Sequence, residues 1–347
     1  MSERPAARSI LVIHVSRIGD TLLATPALRA IAAAWPEAEL TCLGHRKRIE
    51  VLCNLPFVHH LGAISKGRAR VLRWCATRRH DLAFVFGHDE ALVRYALRVA
   101  ERVIAFRQAN EALNRRLYRI AERPGFQDRH AVDYLLALLA PLAIPAQGRY
   151  LSYRVSEEES AWARSELRAL RGSGATPLVG LQIASFPTKA YRDWPLSHFV
   201  DLCDRLLARY PAAHFLILGG AEESGRTKTL GERLAGRASL YAGSLSLRAS
   251  AALMNELDLY IGVDTGPTHI MGALRRPMVA LYHGYSPSTL LAPLEHPSLY
   301  AVDHPSVENP NAGARCGPQT PMAEISVDRV AARALEALRC HYARGAR

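Results

Sequence analysis

Leu259-Tyr260-Ile261-Gly262-Val263-Asp264-Thr265-Gly266-Pro267-Thr268-His269-Ile270-Met271-Gly272 reads as a buried strand, a tight turn and the start of a helix. Residues 259–263 are an unbroken apolar run, and Gly266-Pro267 sets a pliable residue before one suited to a first helical turn. Polar side chains then stand where the strand ends. In an open parallel sheet, ligands bind beyond the carboxyl ends of the strands, where helix N-termini offer unpaired N–H groups and a partial positive charge. Asp264, Thr265, Gly266 and His269 therefore fit the wall of a site for an anionic ligand. They also fit plainer roles: Thr265 as a helix cap, Asp264 closing a turn, His269 as a satisfied first-turn histidine.

The same alternation of strand and helix runs through the chain. Residues 9–16 (SILVIHVS) form a continuous apolar strand of the kind covered on both faces. Arg17-Ile18-Gly19-Asp20-Thr21 follows, then a helix over 22–34 that Pro36 stops. Strands are predicted at 39–43, 58–61, 82–86 and 102–105, with helices over 46–52, 68–79 and 90–100 between them. Residues 108–127 are polar, basic and weakly patterned, which predicts a loop with some helix. A helix over 130–139, the cluster Pro141, Pro145 and Gly148, a helix over 157–170 and Gly172-Ser173-Gly174 mark a domain boundary. A second series follows, with strands at 178–181, 214–218, near 240, 259–263 and 278–282, and helices over 196–210, 222–234 and 247–255. The expectation is an α/β chain of two Rossmann-like, doubly wound domains facing a central cleft. Residues 1–150 form the first domain, 151–176 a linker, 177–326 the second domain, and 327–347 a helix packing back across both.

With 347 residues the chain is too long for one ordinary core. Its longest apolar stretch, residues 134–146, is interrupted by Pro141 and Pro145, and residues 1–9 hold no apolar signal core, so a cytoplasmic protein is expected. Cys42, Cys53, Cys75, Cys203, Cys316 and Cys340 are scattered without a C-x-x-C pair and read as reduced, structural thiols. The net charge of +12 is lopsided: residues 1–150 carry 23 Lys and Arg against 13 Asp and Glu, and the remainder 21 against 19. A basic first half suits nucleic acid, an anionic membrane or a phosphorylated substrate, and equally an arginine-rich solvated surface.

No G-x-G-x-x-G follows either first strand and no G-x-x-x-x-G-K-[ST] occurs, which disfavours nicotinamide chemistry and P-loop hydrolysis. The first strand–helix turn instead offers Gly19, read as allowing a sharp turn, and Asp20, suited either to a general base or to an ordinary N-cap. In the second half, residues 182–194 (QIASFPTKAYRDW) present Ser185, Thr188, Lys189 and Arg192 to phosphate oxygens. Glu222 and Glu223 in residues 218–223 (LGGAEE) stand where sugar hydroxyls could be accepted. Cations, carboxylates and a helix N-terminus at three strand ends of one domain suit a nucleoside diphosphate bearing a sugar. Met254, Trp194 and Tyr282-His283 read as core or loop packing.

Four stretches together resemble the ADP-heptose:lipopolysaccharide heptosyltransferases, glycosyltransferase family 9, of the GT-B architecture. They are residues 10–26 (ILVIHVSRIGDTLLATP), 192–195 (RDWP), 218–223 (LGGAEE) and 263–281 (VDTGPTHIMGALRRPMVAL). The resemblance implies that Asp20, flanked by Gly19 and Thr21, is the base activating the acceptor hydroxyl. It implies that Asp264, Thr265, Gly266 and His269 surround the donor's diphosphate and sugar, and that Glu222 or Glu223 lies near the nucleoside. Where the family carries Lys in K-x-W-P, this chain has Arg192, with Lys189 three residues earlier; either cation could face the leaving diphosphate, and Arg and Lys are not equivalent there.

The implied reaction is one inverting displacement on ADP-heptose, with cations and a helix terminus stabilising the leaving group. No cofactor is expected and, without a D-x-D-like acid pair, no metal. The implied partner is an anionic lipid-linked saccharide at the cytoplasmic face of the inner membrane, attracted by Arg46, Lys47, Arg48, Arg68, Arg70 and their neighbours. Alternatives are a relative using another nucleotide sugar or acceptor, and a nucleotide-sugar-binding protein without turnover. A nucleic-acid binder ranks behind these, since no recognition motif is present.

Overall fold

The computed structural model describes residues 4–75, 77–125, 129–185, 187–308 and 320–345. Cys316, residues 1–3 of the polar N-terminus and residues 126–127 of the expected loop lie outside them. The chain divides into two compact units, Met1–Arg154 and Val155–Arg347.

Each unit is built on a six-stranded sheet whose strand pairs are all parallel. The first holds β1 (Ser9–His14), β2 (Glu39–Gly44), β3 (His60–Ala63), β4 (His80–Val85), β5 (Ala100–Phe106) and β6 (Arg119–Ala121), in the order β3-β2-β1-β4-β5-β6. The second holds β7 (Leu178–Gln182), β8 (His214–Leu218), β9 (Ala238–Leu240), β10 (Leu259–Val263), β11 (Met278–Tyr282) and β12 (Leu299–Asp303), in the order β12-β11-β10-β7-β8-β9. In both the order reverses once, between β1 and β4 and between β7 and β10. Chain leaving these neighbours diverges to opposite faces, so a crevice opens at their carboxyl ends. The two loops that looked most chemical, those carrying Asp20 and Asp264, both start at such reversals.

The central strands are apolar because helices cover both faces. β7, β10 and β11 are buried at every position. Val179, Leu181, Phe215, Ile217, Ile261 and Leu281 form one core with the last helix, Val327–Gly345. That helix contributes Val330, Ala331, Ala334, Ala337 and Leu338, spaced along one stripe as a helix resting on a sheet requires. The first unit packs Leu11, Ile13, Ala83 and Val85 against Leu92, Val93 and Ala96 of the helix Glu90–Val99.

Three expectations need correction. The segment read as a loop with some helix over 108–127 has that helix, Glu111–Asn114, but also the edge strand β6, three residues long and carrying Arg119; so short and charged a strand leaves no alternating apolar signal. β12, at the opposite end of the second sheet, was not expected either. The helix predicted over 22–34 begins earlier and is two helices, Ile18–Leu23 and Thr25–Ala34. Pro26 has no N–H to give the Leu22 carbonyl, and the Thr25 hydroxyl takes that carbonyl instead at 2.6 Å. Gly19 therefore lies inside a helical turn, and the bend precedes it, at Arg17 (φ −77°, ψ 172°).

β10 is tethered at its start as well as at its end. Asp258 accepts from the Leu178 N–H at 2.7 Å and from both terminal nitrogens of Arg171 at 2.9 and 3.3 Å, joining the first residues of β7 and β10. Burial pushes the Asp258 pKa up, but hydrogen bonds from His341, Arg171 and the Leu178 N–H outweigh it and hold the carboxyl below its ordinary range. A depressed native pKa contributes stability that is complete above the unfolded value, near 4, and is lost as pH falls through the native one. Asp258→Asn is therefore expected to lower unfolding stability by about 1–3 kcal/mol at neutral pH. In urea titrations the gap to wild type should narrow as pH drops below about 4.

Candidate active site

β10 ends at Val263, and Asp264 prolongs its ladder by one bond, from its N–H to the Leu281 carbonyl at 3.0 Å. Thr265 is extended (φ −146°, ψ 179°), and the helix Gly266–Leu274 begins with Pro267 in its first turn. Its start carries no side-chain cap. The Thr265 hydroxyl, a candidate for that role, turns back to the Val263 carbonyl at 3.3 Å. Thr268 fixes the turn from below, with its hydroxyl 2.5 Å from the same carbonyl and 2.9 Å from the Tyr260 hydroxyl. That packing demands Gly262, since a Cβ there would stand 2.6 Å from the Tyr260 oxygen and 2.9 Å from the Gln182 Cβ. The outcome is a helix N-terminus whose first N–H groups and partial positive charge have no side chain assigned to them.

Asp264 is 2% exposed, so it is a wall residue with no open face. One carboxylate oxygen meets Arg192 Nη1 at 2.6 Å, and the other faces His269 Nε2 at 3.4 Å. Arg192 is held from its other side by Ser286 Oγ, 3.0 Å from Nη2. Burial raises the Asp264 pKa, and the hydrogen bond from His269 with the charges of His269 and Arg192 outweighs that, leaving the carboxyl below its ordinary value. Four buried polar atoms around this pair, Arg192 Nε, His269 Nδ1, Gln182 Oε1 and Tyr282 Oη, have no hydrogen-bond partner among the described residues. Such atoms are costly in a finished core and ordinary beside a polar ligand.

The remaining expected donor residues separate by what they touch. Lys189 lies on Tyr191, with Nζ 3.4 Å from the phenol oxygen and 5.4 Å from the ring centroid. Burial raises the Tyr191 pKa, but the hydrogen bonds and charges of Arg192 and Lys189 bring it below its ordinary value. The Ser185 hydroxyl is spent within its own loop, 2.6 Å from the Lys189 carbonyl and 2.7 Å from Asp193 Oδ1. Glu223 folds back to accept from the Gly220 N–H, and burial raises its pKa. Glu222 is exposed. Trp194 and Met254 are core residues, as read from the sequence, and the Trp194 indole donates to the Ile325 carbonyl at 2.8 Å. Arg192, Asp264 and His269 are thus brought together, while Ser185 and Glu223 brace their own turns. Sequence reading overlooked Tyr191, Ser286 and Asp193. Tyr191 and Asp193 stood inside a stretch already singled out, and Ser286 follows β11 as the other polar loops follow their strands.

In the first unit, Asp20 occupies the third position of the helix Ile18–Leu23 and its carboxylate is exposed. Its Oδ2 accepts from Ser16 Oγ at 2.7 Å and from the Arg17 N–H at 3.3 Å. Thr21 is buried, with its hydroxyl on the Arg17 carbonyl at 2.7 Å. Arg48 Nη1 grips the Ser16 carbonyl at 3.2 Å, and half-buried His14 donates through Nε2 to the Asp20 carbonyl at 3.1 Å. Burial lowers the His14 pKa against the pull of Asp20, so it is neutral at pH 7. The Asp20 carboxylate is consequently positioned from behind and open in front. At the carboxyl end of β4, a cavity of about 470 Å³ is lined by Arg70, His88, Asp89, Glu90, Ala91 and Arg94.

Asp264→Ala would leave the Arg192 guanidinium facing a hole where its counter-charge stood. Removing one partner of a buried pair costs about 3–5 kcal/mol, so the variant is expected to unfold at clearly lower urea than wild type. Asp264→Asn, which keeps the shape and one acceptor, should lose less; equal stability of all three proteins would show that the pair holds nothing.

The model of glycosyltransferase family 9 (heptosyltransferase) matches residues 91–307, more than half of the chain. The chain is 21% identical over 282 residues to lipopolysaccharide heptosyltransferase 3 of Escherichia coli, covering 76% of this chain and 80% of that protein. Among solved structures it resembles the family 9 glycosyl transferase of Veillonella parvula, with a TM-score of 0.78 at 20% identity over 96% of this chain and 97% of that one. It also resembles the E. coli ADP-heptose lps heptosyltransferase II, with a TM-score of 0.75 at 20% identity over 96% and 99%. At such identity the structures establish a shared GT-B fold, and the family match supplies the rest: this chain is a glycosyltransferase belonging to family 9, the heptosyltransferases.

Proposed function

We propose that this chain moves a heptose from ADP-heptose to a hydroxyl of a lipopolysaccharide inner-core acceptor of the lipid A–Kdo type, by one inverting displacement. The observation that carries the reading is the Arg192 guanidinium, clamped by Asp264 and Ser286 beside the uncapped start of the helix Gly266–Leu274. A fixed cation and a free helix terminus on one strand end match a diphosphate that gains charge as it leaves. The adenine nucleotide and the lipopolysaccharide acceptor are taken from what the similar E. coli proteins are named for.

In this reading Arg192 and the N–H groups after Thr265 hold the diphosphate, and Lys189 adds a second cation. Asp264 positions Arg192 and does not touch the donor, and His269 braces Asp264 through Nε2. Glu223 shapes the turn after β8, leaving the Glu222 carboxylate to the nucleoside's hydroxyls, and Ser185 keeps the Lys189 loop in place. Asp20 takes the acceptor hydroxyl's proton. The freed oxygen forms a bond to the anomeric carbon while that carbon's bond to the diphosphate breaks, and ADP departs with the electron pair, which inverts the centre. No metal or cofactor is assigned a part. The acceptor is an anionic, lipid-linked saccharide, which places the reaction at the cytoplasmic face of the inner membrane.

Calorimetric titration of ADP, GDP and UDP, together with an ADP-heptose transfer assay, tests both halves. ADP should bind best, and Arg192→Lys, which keeps the charge and loses the two-pronged geometry, should weaken it about tenfold or more. Asp20→Asn should bind ADP like wild type and lose about 10²–10⁴ in kcat. Preference for another nucleotide would overturn the donor; unimpaired turnover in Asp20→Asn would overturn the base.

A further inference from the structure

We infer that the Tyr191 hydroxyl is a further catalytic group, a neutral donor to the diphosphate beside Arg192 and Lys189. The inference deepens the diphosphate reading above and rests on it. Tyr191 precedes Arg192 on the loop after β7, and three neighbours fix its half-buried ring. His283 meets it edge-on, with ring centroids 5.1 Å apart and planes at 78°. That histidine is itself held, since its Nδ1 accepts from the Tyr285 N–H at 3.0 Å and its Nε2 donates to the Thr320 carbonyl at 2.9 Å. The Lys189 ammonium and the Arg192 guanidinium lie 5.4 and 5.6 Å from the ring centroid. A ring so crowded offers a ligand its oxygen, not its face.

The oxygen is prepared for donation. Lys189 Nζ donates to it at 3.4 Å, and Arg192 adds a second hydrogen bond and a second positive charge. With its lone pairs turned to cations, the phenol has its O–H left over, and that O–H finds no acceptor among the described residues. Positive charge at the oxygen polarises the O–H and makes it a stronger donor, the same influence that lowers the Tyr191 pKa despite burial. Arg192 does not need the phenol for its own placement, because Asp264 and Ser286 already hold its two terminal nitrogens at 2.6 and 3.0 Å. A packing role would be met equally by phenylalanine, which keeps the ring beside both cations and His283. What the hydroxyl adds is a directed donor for an anionic oxygen where Arg192 and Lys189 converge. There it stabilises charge as the bond from the diphosphate to the anomeric carbon breaks, and it keeps its own proton, a phosphate oxygen being a far weaker base than a phenolate.

Calorimetric titration of inorganic pyrophosphate and of ADP, with the transfer assay alongside, tests it on wild type, Tyr191→Phe, Lys189→Ala and the double variant. Tyr191→Phe should melt like wild type, bind pyrophosphate and ADP about tenfold more weakly, and lose about tenfold or more in kcat. The same loss should appear when Tyr191→Phe is made on Lys189→Ala, because a direct donor acts without the lysine. Wild-type binding and turnover in Tyr191→Phe would overturn the proposal. So would a loss that vanishes in the Lys189→Ala background, which would make Tyr191 a positioning residue for the lysine. Either result leaves wild-type ADP binding intact, and with it the diphosphate reading. Failure of wild type to bind pyrophosphate or ADP would instead overturn that reading and this inference together.

Discussion

A carboxylate at 2% exposure stays ionised only if charge and hydrogen bonds stand against it, and Asp264 has the Arg192 guanidinium on one oxygen and the His269 ring on the other. Desolvating both members of such a pair costs several kcal/mol per ion, which mutual attraction repays only with good geometry and satisfied neighbours. As stabilising elements, apolar residues of similar volume would serve as well. What the pair supplies instead is position. Arg192 reaches across from the loop after β7 to the loop after β10, and Ser286, after β11, fixes its remaining terminal nitrogen. Three strand ends converge on one guanidinium, and the topology that makes β7 and β10 neighbours is what allows it.

The arrangement also explains why the turns around it are braced so heavily. A guanidinium held by three loops is only as well placed as the loops themselves. Ser185 is locked to Asp193 and to the Lys189 carbonyl, Glu223 closes the Gly220 turn, and Thr268 ties the start of the helix to Val263 and Tyr260. Asp193 is itself desolvated, with its pKa raised, and it pairs with no cation by direct contact among the described residues; its work is done through Ser185. Polar groups of this kind spend their hydrogen-bonding capacity on the backbone, which fixes loop shape before any ligand arrives.

The sheets were legible because central parallel strands announce themselves as apolar runs, and 9–16, 178–181 and 259–263 all proved to be strands or to contain them. The edges were not: β6 is three residues with Arg119 among them, and β12 is only partly buried at most positions, so neither shows the pattern that burial imposes. The division of labour within the site was equally hidden. Side-chain type marks Ser185, Arg192 and Asp264 alike as polar residues at strand ends. Only strand adjacency reveals that Arg192 and Asp264, 72 residues apart, touch, and only the loop's path reveals that Ser185 turns inward.

The two units put charge to different physical use. In the second, cations are few near the site and rigidly paired, which suits recognition of one small anion by geometry. In the first, arginines are numerous and many lie at the surface, Arg68 and Arg70 among them, in the same helix as exposed Val71 and Leu72. Loosely held surface charge confers little geometric discrimination and acts over about a Debye length, roughly 8 Å at physiological salt. That suits attraction to an extended charged surface better than selection of a single molecule. The Asp20 carboxylate, by contrast, is braced by Ser16 and the Arg17 N–H and needs no cation beside it to stay in place.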